Sequence, residues 1–106
     1  MASTPEGKVK DAVKKYLKER GAWYFMPVSN GMGQSGIPDL ICCYKGYFIG
    51  IETKAPGKKS QTTANQDRVI RQINEASGKA WVVDDPAQLD ELFTTVDVLR
   101  KLGVEN

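Results

Sequence analysis

The sequence predicts an α/β fold in which a mixed sheet carries helices on its faces. Two observations point to it. Three segments repeat apolar residues at helical spacing, and four short runs rich in aromatic and β-branched residues read as strands. Along the chain the order is helix, three strands, helix, strand, helix.

The first helix runs from about Pro5 to Arg20. Val9, Ala12, Val13, Tyr16 and Leu17 fall at i, i+3, i+4, i+7 and i+8, one apolar stripe. Ser3-x-x-Glu6 fits a capping box, Pro5 suits a first turn, and Gly21 ends the helix. Ala22–Val28 is aromatic and β-branched enough for a strand, and Ser29–Gly36 is a Gly-rich loop. Leu40–Tyr44 and Tyr47–Thr53 flank Lys45-Gly46, a hairpin signal. A basic loop, Ala55–Gln66, leads to a second helix that is expected to bury Val69, Ile70, Ile73 and Ala76 and to stop at Gly78. Lys79–Asp85 reads as the last strand. Asp85–Gln88 caps a final helical region with Leu89, Leu92, Phe93, Val96, Leu99 and Leu102 inside.

At 106 residues the chain has room for one layered core, so residues 1–106 are expected to form a single domain. Hydrophobic residues at 41% and charged residues at 26% exclude the disordered and membrane classes, and no apolar stretch approaches the roughly 20 residues that span a bilayer. The N-terminus lacks the apolar core of a secretory signal, so a cytoplasmic protein is expected. Cys42 and Cys43 are adjacent in a strand and cannot readily bridge each other; both read as buried thiols. With no histidine, imidazole bases, serine–histidine triads and His-containing zinc sites are excluded. Residues 1–60 hold ten Lys/Arg and five Asp/Glu, against five and eight in residues 61–106. A basic first half suits a polyanionic partner, although lysine-rich helix faces are commonly just solvated.

The hairpin carries the chemistry. With Lys45 and Gly46 as turn residues, facing residues have numbers that add to 91, which sets Asp39 opposite Glu52. Facing Cβ atoms lie about 4.5–5.5 Å apart, and Lys54 shares their side of the sheet. Two like charges about 5 Å apart repel by roughly 3 kcal/mol at an effective dielectric near 20. A divalent cation reverses the sign of that term, and oxygen ligands at this spacing suit Mg²⁺ or Mn²⁺ completed by water and phosphate. A lysine beside such an ion can hold the attacking water and stabilise charge on phosphorus oxygens, so the chemistry implied is phosphodiester hydrolysis. The plainer reading is that these are solvated charges at a sheet rim. A three-residue turn would place the two acids on opposite faces.

The motif Gly36-Ile37-Pro38-Asp39 followed by Glu52-Thr53-Lys54 resembles the PD-(D/E)XK nuclease superfamily. Glu6, the Ala55-Pro56-Gly57 loop and Gln66 narrow the resemblance to its small VRR-NUC family. The match covers about residues 6 to 85. It implies a restriction-endonuclease-like αβββαβ core, with Asp39, Glu52 and the Thr53 carbonyl holding Mg²⁺ or Mn²⁺ and Lys54 as the catalytic lysine. It also makes Glu6 and Gln66 supporting site residues. Each has a structural alternative: Glu6 as the capping-box acid, and Gln66 as the partner of Thr63 in Thr63-x-x-Gln66.

Gly31, Gly33, Ser35 and Gly36 would let backbone approach a phosphate closely, and Lys58 and Lys59 follow the active strand as candidate DNA contacts. The expected activity is a metal-dependent endonuclease acting on branched DNA, four-way (Holliday) junctions above all, in a bacterial or phage-infected cell. The alternatives are a flap, nick or single-strand nuclease and a catalytically silent nucleic-acid-binding module. The resemblance is to phage-type enzymes that dimerise. Two-fold symmetry would suit paired cuts, with the last helix as a candidate interface.

Overall fold

The structure, a computed structural model, describes residues 4–28 and 34–103. The elements follow in the predicted order: α1 (Pro5–Arg20), β1 (Trp23–Phe25), β2 (Leu40–Tyr44), β3 (Tyr47–Thr53), α2 (Ala64–Glu75), β4 (Lys79–Val83) and α3 (Gln88–Lys101). The strands form one sheet ordered β1-β2-β3-β4. β1–β2 and β2–β3 are antiparallel, and α2 carries the chain across to β4, which lies parallel to β3. The expected mixed sheet flanked by helices is therefore the architecture.

Pro5 sets the start of α1. Lacking an N–H, it fits the first helical position, which makes Thr4 the N-cap: its hydroxyl accepts the Gly7 N–H at 2.9 Å. The expected cap at Ser3 is thus displaced by one residue, and Ser3 itself lies outside the described residues. Glu6 moves to the second helical position, too early to close a capping box with Thr4. Gly21, at φ 79°, ends the helix as expected.

The hairpin turn is the two-residue kind. Lys45 (φ 51°) and Gly46 (φ 85°) both have positive φ, as a type I′ turn requires. Pairing follows the expected register from Tyr44↔Tyr47 through Cys43↔Phe48 to Leu40↔Ile51. β1 is shorter than the predicted Ala22–Val28: it pairs with β2 only from Trp23↔Cys43 to Phe25↔Ile41.

Alternation divides the sheet into unequal faces. Leu40, Cys42, Tyr44, Ile49 and Ile51 share the fully covered face with Val9, Val13 and Leu17 of α1 and Leu89, Phe93 and Val96 of α3. The Phe93 ring sits 4.9 Å from Tyr44, 5.3 Å from Tyr16 and 5.6 Å from Trp81, which ties α3 to α1 and to two strands. Beside it, Arg20 donates to Tyr16 at 2.8 Å and to Asp97 at 2.8 Å, and the Tyr44 hydroxyl donates to Asp97 at 2.7 Å. Those groups close the end of the sheet at which β2 turns into β3.

On the other face α2 reaches only part of the sheet. Val69 is buried, Ile70 and Ile73 are half-buried, and Ala76, expected inside, is exposed because it caps the helix past its contact with the sheet. α2 ends at Glu75 and the chain leaves it through Ser77 at φ 70°, just before the expected stop at Gly78. Leu102, also expected inside, is exposed because it follows the last residue of α3. Before α3, Asp85 accepts the Ala87 N–H at 3.0 Å, while Ala87 at the N-cap makes no side-chain bond. Among the described residues no helix is long and apolar enough to cross a membrane.

The uneven cover corrects one expectation about the cysteines. Cys42 points into the core, and burial pushes its thiol up to about 12. Cys43 points to the uncovered part of the other face and is exposed, near Trp23, its partner on β1, and Phe48, its partner on β3. One thiol should therefore react rapidly with a disulfide reagent in the native protein, and Cys43→Ser should remove that reaction. Rapid modification of both thiols would contradict the assignment of faces.

Candidate active site

The site forms at the C-terminal end of β3, between the first turns of α1 and α2. Glu52 and Lys54 alternate with Thr53, so both project toward α2. Lys54 Nζ lies 3.6 Å from Glu52 Oε2. Gln66, in the first turn of α2, spans the two: Nε2 donates to Glu52 Oε2 at 3.0 Å, and Oε1 accepts from Lys54 Nζ at 3.0 Å. The same Oε1 accepts the Thr63 N–H at 3.0 Å, while Thr63 Oγ1 accepts the Gln66 N–H at 3.1 Å, a complete capping box. The capping-box reading of Gln66 is therefore realised, and the same side chain also bonds Glu52 and Lys54. One amide caps the helix and orients an acid and a lysine.

The Gly36-Ile37-Pro38-Asp39 step explains why α2 starts where it does. Gly36 has φ 84°, and a Cβ there would collide with the Asn65 carbonyl oxygen and stand 3.0 Å from Gln66 N. The absence of a side chain lets the loop backbone pack against the first turn of α2. Pro38 then covers Gly50 of β3, whose added Cβ would meet the proline ring at 2.9 Å. Asp39 follows, directly before β2.

Asp39 is held from β3. Its Oδ2 accepts the Thr53 hydroxyl at 2.6 Å and the Thr53 N–H at 3.1 Å. Lys10 of α1 brings its ammonium to 3.9 Å from the same oxygen. Sequence reasoning missed both partners. Lys10 had a signal, since it stands at i+4 from Glu6 and so shares its helix face. Thr53 had none, because alternation turns its side chain away from the face that carries Glu52.

Glu52 is 3% exposed, and its Oε1 has no hydrogen-bond partner. Its pKa is raised to about 7, first by burial, then by the charge of Asp39, with Glu6 adding to it and Lys54 opposing it. The expected repulsion between Asp39 and Glu52 is thus present, but desolvation is the larger cause. Glu6, released from capping, acts on Glu52 through its charge.

A raised carboxylate pKa gives the sign of a pH effect. In metal-free protein, this group favours the folded state fully below its ordinary value near 4.5, and the contribution is lost as pH rises through about 7. The difference is on the order of 2–3 kcal/mol for a group this buried. Glu52→Gln in EDTA should flatten the stability profile over that window, measured by urea melts at pH 5 and pH 8. An unchanged slope would show that Glu52 is not desolvated.

Among the described residues no cluster of three or more Asp, Glu, Cys or His could hold a metal ion. A cation here would need main-chain and outside oxygens as well as the two acids. The orphaned Glu52 Oε1, buried beside a second carboxylate, fits such an ion: a hard cation would supply the missing partner and return the acid to its ionised form.

Of the candidate DNA contacts, Ser35 and Gly36 line a groove of about 420 Å³ that also takes in Pro27, Val28, Pro38 and Asp39. Gly36 has the packing duty described above. Lys58 and Lys59 are exposed in the loop after β3, where the Lys59 N–H donates to Asp84 at 3.2 Å. Gly31 and Gly33 lie outside the described residues.

No family model matches the sequence, and no curated protein matches it. Among solved structures the chain is similar to one described as "VRR_NUC domain", with a TM-score of 0.68 and 24% identity over 87% of this chain and 97% of that one. Nearly the whole of that domain is thus reproduced here, and the chain has the VRR_NUC, restriction-endonuclease-like fold.

Proposed function

We propose that the protein is a metal-dependent endonuclease that hydrolyses phosphodiester bonds in DNA, with four-way junctions as its principal substrate. The observation that carries this reading is Glu52, a carboxylate buried with one oxygen unpaired, a second acid beside it and an ammonium at 3.6 Å. A protein that only bound DNA would gain nothing from burying acids where phosphate must approach. The VRR_NUC fold supports the same reading.

Asp39, Glu52 and the Thr53 carbonyl would hold Mg²⁺ or Mn²⁺. Such an ion supplies hydroxide near neutral pH and neutralises charge on the phosphate oxygens. Lys54 donates hydrogen bonds to the attacking water or to a non-bridging oxygen, where negative charge grows. Gln66 holds Lys54 and Glu52 in mutual register, and Thr53 fixes the carboxylate of Asp39. Glu6 adds negative charge that favours the cation. A core this small offers little surface for DNA, so a homodimer acting in the cytoplasm of a bacterial or phage-infected cell completes the proposal.

The test is cleavage of end-labelled four-way junction, flap, nicked, single-stranded and linear duplex DNA with Mg²⁺, Mn²⁺ or EDTA. Preferential metal-dependent cutting of the junction is expected. Cutting of flaps or single strands instead would reassign the substrate, and binding without any cutting would favour an architectural module.

A further inference from the structure

We infer that Lys10 is a substrate-binding residue, whose ammonium holds a phosphate of the DNA strand beside the acid pair. This rests on the nuclease reading for its substrate class, but not for its test. In the protein without DNA, Lys10 stands 3.9 Å from Asp39 Oδ2, an oxygen that already accepts two hydrogen bonds from Thr53. That separation is too long for a hydrogen bond, so the amine stays near the acid without being committed to it. It is also accessible, with 26% of the side chain exposed. Lys54, by contrast, is engaged by Gln66 at 3.0 Å and is only 14% exposed.

Charge balance indicates what Lys10 awaits. With Glu6, Asp39 and Glu52 ionised, three carboxylates face two ammoniums, which leaves one negative charge. A divalent ion turns that into one positive charge. A phosphodiester carries one negative charge and closes the balance. Without DNA, Lys10 repels an incoming cation; with a phosphate between them, the ion, the phosphate and the ammonium attract in sequence. Metal and DNA should therefore strengthen each other's binding, and Lys10 is the group that couples them. Its long flexible stem lets the ammonium move from Asp39 to a phosphate without disturbing α1.

The experiment is fluorescence anisotropy of a labelled four-way junction in EDTA over a range of salt concentrations. Removing one phosphate contact lowers the slope of log affinity against log salt by about one. Lys10→Ala should show that drop, Lys10→Arg should retain the wild-type slope, and Lys15→Ala, an exposed lysine on the same helix, should leave it unchanged. With metal present, Lys10→Ala should raise KM about tenfold and keep kcat within about threefold. Calorimetry without DNA should show it binding Mg²⁺ more tightly than the wild type. An unchanged slope in Lys10→Ala overturns the inference, as does an equal drop in Lys15→Ala or failure of the wild type to bind the junction. If the wild type binds but cuts nothing, the nuclease reading falls while the slope still decides the phosphate contact.

Discussion

Lys54→Ala is expected to reduce cleavage at least 10²–10³-fold, the scale on which a single donor to developing charge acts. The fold should persist. Lys54 is held by Gln66 and Glu52 alone among its side-chain contacts described above, and the Lys54 N–H that bonds the Val83 carbonyl at 2.9 Å belongs to the backbone. The loss has a second component. Burial and the charge of Asp39 raise the pKa of Glu52, and Lys54 opposes them, so without the ammonium Glu52 stays protonated to higher pH. Metal affinity in the variant should therefore be weak at pH 7 and recover toward pH 8.5, while cleavage stays lost at both. Calorimetric titration at the two values, beside single-turnover cleavage, separates the effects. Turnover near the wild-type rate at either pH would remove Lys54 from the chemistry.

Gly36→Ala should strongly destabilise the fold. A residue with a side chain at φ 84° costs roughly 1–2 kcal/mol by itself. Here the new methyl also collides with the Asn65 carbonyl oxygen, a rigid backbone atom, and forces the first turn of α2 outward. A total of about 3–5 kcal/mol is expected, a large share of the stability of a chain this size. Gly21→Ala is the control. It has φ 79° but nothing within 4 Å of an added Cβ, so only the conformational cost of roughly 1–2 kcal/mol should appear. Denaturant melts of the two variants isolate the collision. Because Gln66 sits in the displaced turn, the fraction of Gly36→Ala that remains folded should also bind metal poorly. Equal stabilities for the two variants would mean that Gly36 is not pressed against α2.

Much of the candidate site was legible because it depends on spacing. Lys45-Gly46 sets the hairpin register, the observed pairs run as far as Leu40↔Ile51, one residue short of Asp39 and Glu52, and the charge of Asp39 acts on Glu52. The register needs no knowledge of what lies above the sheet. The partners of those residues were not legible for the converse reason. Thr53 reaches Asp39, and Lys10 reaches the same oxygen, only because α1 and the start of β2 converge at one end of the sheet. In the sequence Glu6 and Gln66 each fit both a cap and a site. A one-residue shift of the α1 cap freed Glu6, and the two ends of one amide let Gln66 cap α2 and bond Glu52 together.

The order of the elements, the mixed sheet and the hairpin register follow from the residues alone, because periodicity and turn chemistry act over a few residues. How deeply Glu52 is buried, which of the two cysteines meets solvent, and which amines attend the acids are set by packing in three dimensions. Desolvation and long-range charge depend on the summed proximity of α1, α2 and the sheet, and that proximity is not encoded in any local run of residues.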